Sequence, residues 1–286
     1  MLWNPRKGGA AVRRRHLPWG TYVALVALLA FAIGPLVLFL FNAVKTPADL
    51  AAHPLGFPAE WHWDNFAIAW ERANMGAGLV NSTIVVAGTI VLTCLVAGCA
   101  AYALARLQVH GAGGVMAYLL ISSSLPLQLF LVPLFYTWST LGLYDTLIGL
   151  ILIYTGIFSP FATLLMRSFL LTLPHGFEEA ARIDGASELG VLFRIVLPNA
   201  VPGLLTVALV TGLSAYNEFL FAVTFIQDSA LAPISTTFFA FQQGFTRDYT
   251  LISAAGIIML APMLILFLLM QRKFVAGLAS TGSAGT

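Results

Sequence analysis

The sequence predicts an all-α integral membrane protein: six membrane-spanning helices, one short extra helix on the cytoplasmic side, and both termini cytoplasmic. Three observations predict it. Apolar side chains make up 59% of the 286 residues and charged ones only 9%, against about 25% charged in a soluble domain. The apolar residues gather into six blocks, each about the 20 residues that a helix needs to cross a bilayer. The blocks also lack the alternation of a barrel strand, which leaves helices, with every backbone amide paired internally, as the structure open to them in hydrocarbon.

Taken in order, the blocks cover residues 21–41, 80–105, 114–137, 146–165, 200–225 and 251–270. The first follows Arg13-Arg14-Arg15 and so invites comparison with a signal peptide. Its 21 residues exceed the usual apolar core of such a signal, and Phe41-Asn42-Ala43-Val44-Lys45 offers no small-x-small cleavage site. A retained span is expected. The chain then divides into a cytoplasmic tail (1–20), the first span (21–41), an extracytoplasmic loop (42–78), a core (79–271) and a second cytoplasmic tail (272–286).

Orientation follows from the cations. With the N-terminus inside, Arg6, Lys7, Arg13, Arg14, Arg15, Arg106, Arg167, Arg182, Arg194, Arg272 and Lys273 are cytoplasmic, and only Lys45, Arg72 and Arg247 lie outside. A net charge of +2 without a basic, aromatic patch argues against nucleic acid as a partner. Cys94 and Cys99 share one apolar block with no His nearby, so neither a disulfide framework nor a metal site is expected from them. Trp61, Trp63 and Trp70 in the outer loop suit anchoring at the membrane interface, with contact to an external protein as the alternative.

The cytoplasmic loop 174–198 is more than a connector. Pro174 and Gly176 break the preceding span, and Glu178-Glu179-Ala180-Ala181-Arg182-Ile183-Asp184 form a helix of about two turns. Its acids occupy the first turn, where the helix dipole favours anions. Glu178 and Arg182 stand at the i, i+4 spacing of an ion pair. Gly185 is expected to end the helix in a left-handed conformation, and Ser187 to cap a second one running to Leu197-Pro198. Two turns are too few to be stable alone, so the helix must dock on something. A helix lying on lipid headgroups favours basic and large apolar residues. This one reads as acidic and small-faced, which suits the groove of a partner protein better.

Glu179-Ala180-Ala181, Gly185, and then Ile195-x-Leu197-Pro198 at matching spacing resemble the EAA loop of binding-protein-dependent ABC importer permeases. Other segments are similar to the MalG-type carbohydrate branch. They include Asn81-Ser82 opening the second span, Ala100-Ala101-Tyr102-Ala103-Leu104-Ala105-Arg106 closing it, Gly142-Leu143 with Asp145-Thr146, and Asn217-Glu218-Phe219-Leu220. Tyr216 departs from the Trp that often precedes Asn-Glu in that branch, and the tail lacks its usual closing Lys. The resemblance implies the type I ABC importer permease fold, with Glu178, Glu179, Ala180, Ala181, Arg182, Asp184, Gly185, Ile195, Leu197 and Pro198 forming the contact with an ATPase. It also implies the partners: a second, related permease chain, two ATPase subunits carrying ATP and Mg, an extracytoplasmic solute-binding protein, and a sugar or sugar derivative as solute. The setting would be a bacterial or archaeal cytoplasmic membrane.

Within the spans, Glu218 is the one carboxylate. A charge at the bilayer centre costs about 2.5 kcal/mol or more, so such a residue faces the bundle interior or water. Tyr216, Asn217 and Glu218 are therefore the candidate solute-path residues, while a purely structural role for Glu218 stays open. No G-x-x-x-x-G-K-[ST] phosphate loop is present, so this chain is expected to be non-catalytic and to bind no cofactor itself. A membrane enzyme would need clustered catalytic residues, and the five His are scattered. Pro126, Pro133, Pro160, Pro202 and Pro262 interrupt spans and can kink them, but a secondary carrier would show internal repeats and discontinuous helices at matching positions in two halves, and none is legible. The alternatives kept are such a carrier and a permease for a non-sugar solute.

Overall fold

The computed structural model describes residues 19–107, 109–243 and 248–282; of residue 267 and residues 269–282 it describes the backbone only. The expectations for residues 1–18, with their five cations, for Arg247 and for residues 283–286 lie outside the described residues.

Every regular element among the described residues is helical. α1 (Trp19–Ala43) is the first span. The outer loop is not featureless: it folds as α2 (Pro47–Ala52) and α3 (Asp64–Arg72). Thr46 caps α2 by accepting from the Asp49 amide, with Pro47 at the first helical position, where no N–H is needed. The Asn65 amide donates to the carbonyls of Ala43 and Lys45, at 2.9 Å each, and so fastens α3 to the end of α1. Trp61 and Trp63 are half exposed and stacked, their centroids 5.8 Å apart.

α4 (Met75–Arg106) is 32 residues long. α7 (Leu147–Leu170) packs along it, closely enough that a Cβ on Gly88 would stand 2.7 Å from Ile151 Cδ1. The last helix, α14 (Tyr249–Gly282), packs on α1 and α3. α1, α4, α7 and the stretch Tyr249–Leu266 are long and apolar enough to cross a membrane uninterrupted.

The remaining two spans are broken, the third beside Pro126, one of the prolines expected to interrupt spans. The third consists of α5 (Ala112–Ser124), a single 3₁₀ turn (Leu127–Phe130) and α6 (Leu131–Thr140), bent by 97°. The cause is local: Pro126 forces Leu125 into an extended conformation (ψ 141°) and removes a donor. The fifth is α11 (Val201–Asn217) followed by α12 (Leu220–Phe225), interrupted at Glu218 (ψ 127°). α13 (Ile234–Gln242) completes the extracytoplasmic side.

On the cytoplasmic side lie α8 (Gly176–Ile183), α9 (Glu188–Val191), a π-helical turn (Leu192–Val196) and α10 (Leu197–Asn199). They are held by an apolar cluster in which Val191, Leu192, Val196 and Ala200 meet Ala97 and Ala101 of α4 and Met166 and Leu170 of α7.

Candidate functional site: the cytoplasmic helix and the broken fifth span

α8 ends as its sequence requires. Gly185 takes φ +83°, its N–H donates to the Arg182 carbonyl at 3.1 Å, and the Ala186 N–H reaches back to the Ala181 carbonyl at 3.0 Å. These are the paired bonds of a Schellman motif, which only a left-handed residue can close. Ser187 then caps α9, accepting from the Gly190 N–H at 3.3 Å.

The expected i, i+4 ion pair is present, but it is the weaker contact of both residues. Glu178 is buried, and its Oε1 lies 2.8 Å from Nε of Arg106, whose side chain is 1% exposed. Arg182 stays 3.8 Å from Glu178. Its stronger partner is Glu188, held bidentately at 2.8 and 3.2 Å, with the Tyr102 hydroxyl donating to the same carboxylate and accepting from Arg182 at 3.0 Å. Hydrogen bonds from Arg182 first, then Tyr102, hold the Glu188 carboxyl down at about 2. A fork-shaped guanidinium fits two carboxylate oxygens at once, and the fourth residue along the helix offers only one within reach. Arg106 also donates to the Leu173 carbonyl at 2.9 Å and stands 2.9 Å from His175 Nε2. Tyr102 and Arg106 thus bind α8 and α9 to the last turn of α4. Sequence reasoning counted Arg106 as a cytoplasmic cation and as the end of the motif closing the second span, and gave it no partner. The signal available was its place at the end of a span, five residues after Ala101, which lies in the buried cluster.

The other candidates fall on two sides of α8. Glu179, Ala180, Asp184 and Gly185 are exposed, whereas Ala181 packs into the cluster beneath. Ile195 and Leu197 are half-buried and Pro198 is exposed. The outward surface is not small-faced: Phe177 and Ile183 are 68% and 85% exposed and share it with Ala180. Residues at i, i+3 and i+6 lie along one side of a helix, so these three form an apolar ridge flanked by Glu179.

In the fifth span, the three candidates separate. Tyr216 is buried and donates to the Met259 carbonyl at 2.7 Å. Glu218 turns back on its own chain. Its carboxylate accepts from the amides of Leu220, Phe221 and Ala222 at 2.9–3.2 Å and from the Tyr154 hydroxyl at 2.7 Å. A carboxylate so engaged caps α12, meeting the amides that a helix start leaves unpaired. Asn217 alone faces outward. One turn before it, Ser214 lines a groove of about 290 Å³ with Ser122 and Ser123 from the break in the third span and Phe158 and Phe161 of α7. The serines escaped sequence reasoning because hydroxyls scarcely lower the hydropathy of a block.

A bundle of apolar spans, two of them broken in the membrane, with one capped helix bound across its cytoplasmic end, is a membrane transport subunit. Residues 95–280 match the family of binding-protein-dependent transport system inner membrane components, and this chain belongs to that family. It is 39% identical over 258 residues to "Probable ABC transporter permease protein YurM" of Bacillus subtilis, covering 90% of this chain and 85% of the relative. It is 32% identical to the diacetylchitobiose uptake system permease protein NgcG of Streptomyces coelicolor (96% and 91% covered). Identity to the sulfoquinovosyl glycerol transport system permease protein SmoH of Agrobacterium fabrum is 33% (92% and 93% covered). In fold it is similar to a chain of a bacterial ABC transporter involved in the import of the acidic polysaccharide alginate. There the TM-score is 0.76 at 20% identity, with 89% of this chain and 95% of that chain covered. The protein is an ABC importer permease.

Proposed function

We propose that this chain is one of two related but different permease subunits of an importer for a sugar or sugar derivative, in a bacterial or archaeal cytoplasmic membrane. Two ATPase subunits, holding ATP and Mg, dock on α8, and an extracytoplasmic binding protein delivers the solute. The observation that carries this reading is α8 itself. It is a two-turn helix stabilised from beneath by Glu178 and Ala181, presenting Phe177, Ala180 and Ile183 outward with Glu179 beside them. An apolar ridge edged by an acid fits a groove in a protein, and a helix fixed on one side passes a push to what it is fixed to.

The solute class is supported by relatives that carry diacetylchitobiose and sulfoquinovosyl glycerol. A permease of similar fold occurs in a complex with an alginate-bound periplasmic protein. Within this chain, the path for the solute runs along Ser122, Ser123, Ser214 and Asn217. Ser122, Ser123 and Asn217 donate only to carbonyls of their own helices, those of Leu119, Leu120 and Leu213, so their oxygens keep acceptor capacity that suits a wet surface and an uncharged polyol. Tyr216 and Glu218 hold the bundle together beside this path.

The test is co-expression with the ATPase. Glu179→Lys combined with Gly185→Pro should leave membrane insertion intact and abolish co-purification of the ATPase subunits. Normal co-purification with normal uptake would overturn the docking role. For the path, Ser214→Leu should reduce uptake in an assembled complex, and undiminished uptake would place the solute elsewhere.

A further inference from the structure

We propose that α4 is the rod that transmits movement of α8 to the extracytoplasmic segment 230–234, with Arg106 and Asn81 as positioning residues at its two ends. This rests on the importer reading above.

The first observation is stiffness. α1, α7 and α14 contain Pro35, Pro160 and Pro262, and the third and fifth spans are broken. α4 has neither a proline nor a break in its 32 residues. Kinks arise at prolines, Gly/Ser pairs, π-bulges and inserted groups, and α4 lacks the prolines and breaks found in the other spans. At a rise of about 1.5 Å per residue it reaches roughly 48 Å from one side of the bilayer to the other.

The second observation is that both ends are tied to segments beyond the membrane. At the cytoplasmic end Arg106 meets Leu173, His175 and Glu178, the entry to α8 and its first turn. Tyr102, one turn earlier, meets Arg182 and Glu188 at the exit. α8 is thus held at both of its ends by one turn of α4. The inner ion pair is shielded from water, its side chains 1% and 4% exposed, so salt and solvent screen it little. At the extracytoplasmic end, the Asn81 amide donates to the carbonyls of Ala230 and Ala232 at 2.8 and 3.2 Å. The Ser82 hydroxyl accepts from the Ile234 N–H at 2.8 Å. Gly78 lets α13 approach so closely that a Cβ there would stand 3.2 Å from Ile234 Cα.

The third observation is what the outer segment borders. Gln227, Asp228, Ser229, Ala232 and the first two turns of α13 line a cavity of about 930 Å³ open to the extracytoplasmic side, with Arg72 and Asn74 opposite. A displacement of α4 along its axis would move the wall of this cavity. Coupling of this kind is reciprocal: an external protein that prefers one position of the wall alters the preference of α8 for one state of the motor.

The experiment uses the complete complex in proteoliposomes and reads the ratio of ATPase activity with and without the binding protein. Arg106→Gln and Asn81→Leu should each lower this ratio by about fivefold or more, the low end of usual coupling strengths. The double variant should be no worse than either single one, because each cuts the same rod. Exchanging the inner pair, Arg106→Glu with Glu178→Arg, should give a higher ratio than Arg106→Glu alone, short of the full value because a carboxylate at 106 cannot donate to the Leu173 carbonyl. Should Asn81→Leu fail to assemble, Ser82→Ala, which removes only the hydroxyl under Ile234, takes its place in the cycle. Assembled single variants with an unchanged ratio, or losses that multiply in the double variant, would overturn the rod. Failure of any ATPase to co-purify with the unaltered chain would instead strike the importer reading itself.

Discussion

Replacement of Gly185 separates backbone strain from contact at the end of α8. Its φ of +83° is open to glycine and costs other L-residues about 1–2 kcal/mol. No atom lies within 4 Å of where a Cβ would stand, so the chain itself adds no clash. Gly185→Ala should therefore cost about 1 kcal/mol, or about fivefold in the ratio of formed to unformed helix. Gly185→Asn should cost less, because its short polar side chain tolerates the left-handed region. Gly185→Pro fixes φ near −65° and deletes the N–H that bonds Arg182 at 3.1 Å. A loss of about 3 kcal/mol, over a hundredfold, follows. Amide exchange across residues 178–186 of the reconstituted complex, together with the yield of co-purified ATPase, should rank Gly, Asn, Ala, Pro in falling order. Alanine as damaging as proline, or proline harmless, would refute the claim that the left-handed turn alone sets the end of the helix.

Glu218→Ala should lower the melting temperature and yield of the protein, since three amides and the Tyr154 hydroxyl lose their acceptor at about 1–3 kcal/mol per orphaned group. Uptake by the unaltered protein should not respond to a proton gradient, and a response that Glu218→Gln abolishes would restore Glu218 to the transport path. Gly149→Ala should prevent stable folding, because its Cβ would run into the Leu143 backbone carbonyl, which cannot swing away as a side chain would; wild-type melting behaviour would refute this. Because the Glu188 carboxyl is held at about 2 by Arg182 and Tyr102, its contribution is present above the ordinary carboxylate range and is lost as pH falls towards 2. Protease resistance of the 176–191 region should therefore hold at pH 5 and decline below about pH 4, with Arg182→Ala already sensitive at pH 5; matching profiles for the two proteins would refute the pairing.

The spans and the cytoplasmic helix were legible because each depends on residues close together in the chain. Hydropathy marked the blocks, Gly185 and Ser187 marked the ends of α8 and α9, and Pro126 lies where the third span breaks. What stayed hidden was non-local or masked by averaging. Arg106 and Glu178 are 72 positions apart, and Tyr102 and Glu188 are 86 apart, so nothing in either neighbourhood names the other. The i, i+4 rule found a real but weak partner for Arg182 and missed the stronger one, because a distant hydroxyl and a carboxylate across the turn formed a better fork. At Glu218 the residue itself was conspicuous, but a hydropathy window cannot tell a carboxylate aimed at a solute from one folded back on three amides. The π-helical turn at Leu192–Val196 left no recognisable trace in the residues that form it.

α1 shows how differently selection bears on two helices of the same bundle. Near its outer end Phe39 fills the notch over Gly256 and Asn65 grips the last carbonyls, while Val23, Val26, Leu28 and Phe31 towards the inner end stand 64–82% bare of protein. Lipid tails ask for greasiness and are indifferent to shape. Over that half, one aliphatic residue is as good as another, and the helix is free to drift in sequence or change length at its inner tip. The same latitude is denied to α7, where a single methyl group on Gly149 would meet backbone.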